Sequence, residues 1–274
     1  MKKKLLVLLA VLLLCAYALP AAAAVENYIS EFDARYRAYA AANPEAKVGD
    51  ALAIVNLKLE EDNYDNVFTT QAPESLTVFI SKHYALPKDY RPENLVVVDR
   101  TYAQSGVRLR EDCYQAFLSM TEAMEQEAGL SLYIKSGYRT NRKRGGANSL
   151  WYAWPGHSEH QTGLAFDLRK KNVYYSTLGE YRYETTPEYA WLCANAYRFG
   201  FILSYPAEKS DITGFGFEPW HWRYIGTDVA ADMREKGYVT YHEYWANHMI
   251  QNTYDYAEFN TIKQRLTLVQ AKGV

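Results

Sequence analysis

The feature that most constrains how this chain can fold is the stretch at residues 155–167, Pro-Gly-His-Ser-Glu-His-Gln-Thr-Gly-Leu-Ala-Phe-Asp. Its first half places Ser158 and His160 in a loop, and its second half has the pattern of a short apolar strand with one acid. Successive side chains of a strand point to opposite faces, so Asp167 shares a face with Ala165, which is small enough to leave room for an ion. The stretch therefore predicts a polar centre on one face of an otherwise apolar strand.

A second stretch, at residues 218–224, supplies another histidine for this polar centre. Its Trp-His-Trp-Arg-Tyr end also alternates, with His221 and Arg223 on one face and three aromatic residues on the other. Two imidazoles and one carboxylate, from His160, Asp167 and His221, are the protein ligands of a catalytic zinc site that keeps its fourth position for water. Glu218, three residues before His221, is close enough in sequence to take a proton from that water.

Two other interpretations of these residues stay open at this point. A single His followed by an Asp is common by accident, and it is weak evidence for a metal when taken alone. Ser158, His160 and Asp167 could instead form a Ser-His-Asp triad, although the histidine would then have to reach both the serine and the acid. The metal hypothesis is favoured because it also accounts for Glu218 and His221.

The order of these residues resembles the signature of the zinc D-alanyl-D-alanine carboxypeptidases and dipeptidases. That signature is Ser-x-His-x-x-Gly-x-Ala-x-Asp followed by Glu-x-x-His, and residues 155–165 are similar to its VanY-type branch. The Ser-Gly-Tyr-Arg sequence at residues 136–139 matches a further motif of the family. The similarity covers roughly residues 75–250 and includes three more segments, at residues 84–92, 109–112 and 211–214.

The resemblance implies an α+β fold in which a small antiparallel sheet carries the zinc ligands and helices flank it, as in the Hedgehog/DD-peptidase-like proteins. It implies that His160, Asp167 and His221 hold Zn²⁺, that Glu218 activates water, and that the enzyme removes the terminal D-Ala from peptidoglycan stem peptides. A D,D-dipeptidase or peptidoglycan endopeptidase of the same family is an alternative. A non-catalytic cell-wall-binding protein is an alternative of another class.

An enzyme that removes the last residue of a peptide must recognise a free carboxylate, which a guanidinium binds as a fork. The resemblance implies that Arg139 and Ser158 hold that end of the substrate, that Arg139 also assists catalysis, and that Tyr138 and Asp211 contribute to binding. Without the motif, a structural arginine paired with a surface acid would be the simpler interpretation. The VanY-type pattern continues to a glutamine about five residues after the arginine, whereas residues 140–144 are a cluster of cations. This departure favours an anionic or amidated neighbour in the stem peptide.

Residues 1–24 have the parts of a secretory signal peptide: a positive start, an apolar run too short for a spanning helix, and an exit of small residues. We expect cleavage near Ala24 and a secreted, extracytoplasmic protein; an uncleaved signal anchor is the alternative and would be its attachment to the membrane. Removing residues 1–24 takes away three lysines and no acid, so the formal charge changes from −2 to −5. This negative charge argues against a nucleic-acid partner. Separately, we expect the protein to be a monomer.

We expect the mature chain to have three parts, namely a mainly helical N-terminal lead at residues 25–90, a catalytic domain at 91–250 and a C-terminal helix at 251–274. Two cysteines remain after cleavage, Cys113 and Cys193, and in an oxidising compartment they form either a disulfide or two free thiols. Local patterns predict helices over residues 26–42, 76–84 and 109–128, a strand over residues 51–59, and helices that begin after Thr186, at Thr227 and at Thr240.

Overall fold

The structure is a computed structural model, and it describes residues 27–140, 146–171 and 182–250. The predicted signal peptide, most of the cationic cluster at residues 140–144 and the predicted C-terminal helix lie outside the described residues. Within the described ranges, no helix combines the length and the apolar character needed to cross a membrane.

Short strands alternate with helices along the described chain. In order, the elements are α1 (Asp33–Ala42), α2 (Val48–Leu57), β1 (Phe68–Thr69), β2 (Tyr84–Ala85), β3 (Leu95–Val97), β4 (Arg108–Arg110), α3 (Glu111–Ala128), β5 (Ile134–Ser136), β6 (Ala165–Leu168), α4 (Pro187–Asn195), β7 (Phe201–Leu203), α5 (Ser210–Thr213), β8 (His221–Tyr224), α6 (Thr227–Glu235) and α7 (Tyr241–His248). Single turns of 3₁₀ helix occur at Ser30–Phe32, Glu159–Thr162, Tyr183–Thr185 and Ala196–Phe199.

Four of the strands form the central sheet, in the order β5-β6-β8-β7, with every neighbouring pair antiparallel. The register of β6 and β8 places Asp167 directly opposite His221. Two smaller sheets accompany it, a parallel β1-β2 pair and an antiparallel β3-β4 pair. The expectation of an α+β protein with a small antiparallel sheet between helices is confirmed.

One apolar core lies between the central sheet and α3. Apolar residues recur along α3 at spacings of three and four, so one side of the helix is buried. From that side Phe117 meets the edge of Phe166 on β6 at 5.3 Å, and Phe166 in turn meets Phe201 on β7 at 5.3 Å. The helix was predicted to begin at Leu109, but Leu109 belongs to β4 and the helix begins two residues later.

A second apolar core joins the N-terminal helices to α7 at the other end of the chain. Trp245 of α7 is fully buried and stacks on Phe79 with ring centroids 4.0 Å apart. Asn56 of α2 donates hydrogen bonds to the backbone oxygens of Asn27 and Ala246, so polar contacts also tie the two ends together. The N-terminal lead is therefore packed into the protein rather than set apart from it.

Two local predictions were wrong, and packing explains both. Residues 51–59 were predicted as a strand, but residues 48–57 form helix α2, which buries Leu52 and Val55 against α7 and its neighbours. Residues 76–84 were predicted as a helix, but they are irregular until β2 begins at Tyr84. The backbone oxygens of Leu76 and Val78 accept hydrogen bonds from Arg223 instead of from a following helical turn.

Other predictions concern single residues. The helices after Thr186 and Thr240 are capped as expected, because each threonine hydroxyl accepts a hydrogen bond from the backbone three residues later, at 3.1 Å. Cys113 and Cys193 are free thiols, so the disulfide is not formed. Cys113 is buried behind β6, with its Sγ 3.5 Å from the backbone oxygen of Leu164.

Candidate active site

His160, Asp167 and His221 converge on one point at the end of the central sheet. Oδ1 of Asp167 is 3.1 Å from Nε2 of His160 and 3.1 Å from Nδ1 of His221. The candidate ligand atoms of the three residues all lie within 4.8 Å of one another, and all three side chains are buried. The structure therefore brings together the three residues that the sequence predicted as metal ligands.

Local backbone geometry explains how a turn and two strands meet there. Asp167 and His221 face each other because they are register partners on β6 and β8. His160 comes from the 3₁₀ turn before β6, and Gly163 ends that turn with a φ of +72°, a conformation that glycine adopts without strain. A Cβ at this position would also lie 2.9 Å from a methyl carbon of Leu95. Only glycine fits this corner without displacing its neighbours.

The hydrogen bonds around the two imidazoles determine which nitrogens can bind a cation. Nδ1 of His160 is 2.7 Å from the backbone oxygen of Gly137, so it carries the proton and leaves the Nε2 lone pair directed at Asp167. Nε2 of His221 is 2.9 Å from a carboxylate oxygen of Glu159, so its Nδ1 is the nitrogen directed at Asp167. When both imidazoles are neutral, two lone pairs and a carboxylate oxygen thus point at one another, and a metal ion or a proton between them removes the repulsion. This donor set matches that of a three-ligand zinc site.

Electrostatics at this point agree with the geometry. Burial opposes ionisation of Asp167, yet the neighbouring His160 and His221 hold the pKa of its carboxyl well below its usual range. Burial alone would lower the pKa of His221, but its hydrogen bonds to Asp167 and Glu159 raise it to about 10. The site therefore attracts positive charge, which a proton or a metal ion can supply.

Glu218 lies beside the three ligands on the chain segment that leads into β8. Its Oε2 is 3.7 Å from Nδ1 of His221, and its backbone N–H donates to the backbone oxygen of Tyr205 at 3.0 Å. Burial raises the pKa of Glu218 to about 7, although the nearby His221 acts in the opposite direction. A carboxyl group with a pKa near neutrality can both accept and return a proton, which is what a general acid–base requires.

Of the four candidate substrate-binding residues, two line the cleft beside the ligands and two do not. Arg139 lies at the mouth of the site, where its Nη1 is 3.3 Å from Oδ2 of Asp167 and its backbone N–H donates to the oxygen of His160. Ser158 lines the same cleft, but Tyr138 and Asp211 are not among the described residues that line it. The cleft has a volume of about 390 Å³, and its lining also includes Lys135, Trp151, Tyr152, Trp154, Gln161, Glu218 and Trp220.

The triad interpretation has no geometric support, because both ring nitrogens of His160 are engaged by Gly137 and Asp167. The structure also adds residues that sequence reasoning missed, chiefly the buried Glu159 behind His221 and its partner Arg223. Strand alternation already placed Arg223 on the face of His221, so this signal was present in the sequence and was not used.

Comparisons with known proteins give a consistent result. The family model described as "VanY: D-alanyl-D-alanine carboxypeptidase" matches residues 106–227. The putative carboxypeptidase YodJ of Bacillus subtilis is 34% identical over 199 residues, which are 66% of this chain and 71% of that protein. The solved structure of the LdcB LD-carboxypeptidase matches with a TM-score of 0.56 and 31% identity, covering 67% of this chain and 92% of that one. A glutamate-to-alanine mutant of the D,D-pentapeptidase VanY from a VanB-type resistance cassette, solved with Zn(II), matches with a TM-score of 0.50 and 30% identity, covering 62% and 98%.

Proposed function

The chain belongs to the VanY family of D-alanyl-D-alanine carboxypeptidases, and on that premise we propose that it removes the terminal D-Ala from peptidoglycan stem peptides. The observation that carries the proposal is the convergence of His160, Asp167 and His221 on one point, with Glu218 3.7 Å from the last of them. The protein is a zinc metallocarboxypeptidase. We assign the three converging residues as its metal ligands.

A zinc ion held by His160, Asp167 and His221 would supply a Lewis acid for the scissile carbonyl and would lower the pKa of a water molecule from ~15.7 to about 7. The protein's own contribution is to fix the ligands and the proton carrier. Glu218 accepts the proton of the attacking water and then returns it to the amine of the departing D-Ala. Its buried position and its pKa of about 7 support both halves of that transfer.

Arg139 and Ser158 provide the polar groups that can hold the end of a peptide in the cleft. Arg139 is partly exposed at the cleft mouth, and its Nη1 lies within 3.5 Å of both Ser136 and Asp167. Its remaining guanidinium donors can bind the terminal carboxylate of the substrate as a fork. From the same position, the positive charge also stabilises negative charge that develops on the carbonyl oxygen.

The location and assembly of the protein are part of the proposal. The signal-like residues 1–24 support export to the cell envelope, where stem peptides are found, with cleavage near Ala24. We propose that the mature enzyme acts there as a monomer. Attachment to the membrane would require that the signal is retained as an anchor.

Release of D-Ala from a stem pentapeptide ending in D-Ala-D-Ala is the direct test. We expect release by the zinc-loaded protein, loss of release after chelation, and recovery when zinc is added back. Glu218→Gln should lower kcat by about 10²- to 10⁴-fold, because the amide cannot carry the proton, while zinc remains bound. A variant that loses both its zinc and its activity would place Glu218 among the ligands instead. Normal turnover by this variant would remove the mechanism.

A second candidate, an LD-carboxypeptidase, is supported by the likeness to LdcB, whose chain is covered over 92% of its length. In this chain, such an activity would use the same residues but would cut a bond between an L- and a D-residue. Tetrapeptide and pentapeptide stems assayed side by side separate the two specificities. Free D-Ala-D-Ala and cross-linked peptidoglycan, added to the same series, test the dipeptidase and endopeptidase alternatives.

A further inference from the structure

A buried carboxylate lies directly behind the site and takes no part in the mechanism described above. Glu159 is 3% exposed, and its Oε2 is 2.9 Å from Nε2 of His221. The hydroxyl of Ser204 donates to the same oxygen at 2.6 Å. Glu159 is not among the described residues that line the cleft, so it is set back from the place where we propose that the substrate binds.

The other oxygen of this carboxylate is held by a buried guanidinium. Nη1 of Arg223 is 2.9 Å from Oε1 of Glu159, and the Arg223 side chain is fully buried. Nη2 of the same arginine donates to the backbone oxygens of Leu76 and Val78. A buried carboxylate stays ionised only when it is paired and hydrogen-bonded, and this arrangement meets both conditions.

We infer that Glu159 is a positioning residue that selects the nitrogen through which His221 binds the metal ion. By accepting the Nε2–H bond, it leaves Nδ1 of His221 as the lone pair beside Asp167. The other tautomer would direct an N–H group at the cation. His160 is held in the opposite sense, since its Nδ1–H is directed to the backbone oxygen of Gly137.

This inference rests on the proposed zinc site and explains why two histidines present different nitrogens to it. A carboxylate behind a metal-bound imidazole fixes the orientation of the ring and raises its basicity, and loss of such a partner typically weakens metal binding by about 10- to 100-fold. Ser204 and Arg223 act one step further away, by holding Glu159 in place and neutralising its charge. The result is a chain of contacts from His221 to the backbone at Leu76 and Val78.

The experiment uses two matched double variants of the full-length protein, because removing only one member of the ion pair would leave a buried charge. The first combines Glu159→Gln with Arg223→Met, which removes both charges and keeps an oxygen that can accept the Nε2–H bond. The second combines Glu159→Leu with Arg223→Met, which has a similar volume and no acceptor. Zinc affinity is measured by competition with a chromogenic chelator. Thermal unfolding of both metal-free variants shows whether they are folded.

The glutamine variant should bind zinc within a few-fold of the wild type, and the leucine variant should bind it about 10- to 100-fold more weakly. Equal zinc affinities in two folded variants would overturn the inference. If either variant fails to fold, ¹⁵N NMR of the zinc-loaded wild type decides, since the inference requires that His221 carries its proton on Nε2. A proton on Nδ1 of His221 would overturn it. A wild-type protein that binds no zinc at all would instead contradict the proposed function.

Discussion

Two glutamates show how the surroundings of a single residue determine its role. Among the described residues, His221 is the one cationic group within 4 Å of the Glu218 carboxylate, and burial raises the pKa of that carboxyl to about 7. Burial also opposes the ionisation of Glu159, but Arg223 together with the hydrogen bonds from His221 and Ser204 holds that pKa well below its usual range. When their surroundings separate the pKa values of two carboxyl groups in this way, one can act as a general acid–base and the other stays ionised. One glutamate can carry protons near neutrality, and the other remains a fixed anion.

Arg139 gives a prediction about the substrate carboxylate. If its guanidinium binds that group, a stem peptide amidated at its C-terminus should be hydrolysed less well than the free acid by the wild type. A charged hydrogen bond contributes about 1.5–3 kcal/mol, so the preference should be about 10- to 100-fold in kcat/KM. Arg139→Gln should lose most of this preference for the acid. If Arg139→Gln keeps the full preference, another cation of the cleft, such as Lys135, binds the carboxylate.

His242 gives a prediction about stability and pH. It is buried in α7, neither ring nitrogen has a hydrogen-bond partner among the described residues, and burial lowers its pKa to about 4. The unfolded chain binds a proton near pH 6.5, so the contribution of this residue is complete above that pH and is lost as the pH falls towards 4. By pH 4.5 the loss should be about 2–3 kcal/mol.

Urea denaturation of the metal-free wild type and of His242→Gln, at pH 7 and at pH 4.5, tests this prediction. The wild type should lose more unfolding free energy between the two pH values than the variant, because glutamine does not titrate. The same loss in both proteins would show that His242 is not responsible.

At the scale of elements, the loop that carries Trp151, Tyr152 and Trp154 at the side of the cleft is held in place by close packing. Trp151 is 55% exposed, yet its ring lies over Gly216, where a Cβ would come within 2.8 Å of a ring carbon. The backbone N–H of Gly216 also donates to the oxygen of Leu150 at 2.9 Å. Because Trp151 also lines the cleft, we expect it to act as a preformed wall for the substrate.

Gly216→Ala should therefore displace the Trp151 ring and raise KM for a stem pentapeptide several-fold, with little change in kcat, because the catalytic groups stay in place. Trp151→Ala should have the same effect. Gly146→Ala is the matched control, since a Cβ there comes within 4 Å of no atom of the described residues. An unchanged KM in both Gly216→Ala and Trp151→Ala would show that this wall does not contact the peptide.

The elements also show which parts of the fold the sequence could predict. Helix α3 was predicted because its own residues carry a clear period, and β6 and β8 were predicted because their side chains alternate. Helix α2 was mistaken for a strand, since a run of ten mostly apolar residues fits either period and packing against α7 decides. The site was predicted at the level of its ligands, but Glu159 was missed because its partners, Ser204 and His221, are at least 45 residues away.

For the molecule as a whole, the N-terminal lead supports the site from outside the segment that matches the family model. Its backbone oxygens at Leu76 and Val78 accept hydrogen bonds from Arg223, and the oxygen of Ser81 is 2.7 Å from Nδ1 of His157. Its Phe79 stacks on Trp245 in the core that α7 completes. The expected boundary at residue 91 therefore lies between two parts that pack against each other, and we propose that they fold together.

A fragment containing only residues 91–250 should fail to fold cooperatively, since it would expose the buried surface of α7 and remove the acceptors of Arg223. We expect no sharp thermal transition and no tight zinc binding by the fragment. A chain that begins at Val25 is the control, and it should retain both. A fragment with a cooperative transition and the zinc affinity of the control would show that the catalytic part is independent.

Glu159 and His160 are adjacent in sequence, yet they contact His221 on different sides. Glu159 binds Nε2 of the ring, and the His160 ring packs edge-to-face against it with centroids 4.8 Å apart. Because the two residues are consecutive, neither contact with His221 can be shifted without shifting the other. Transplanting the centre into another scaffold therefore requires the turn to be copied as a unit, without the gain or loss of one residue. A graft that copies only the three ligands would reproduce their identities and lose their alignment.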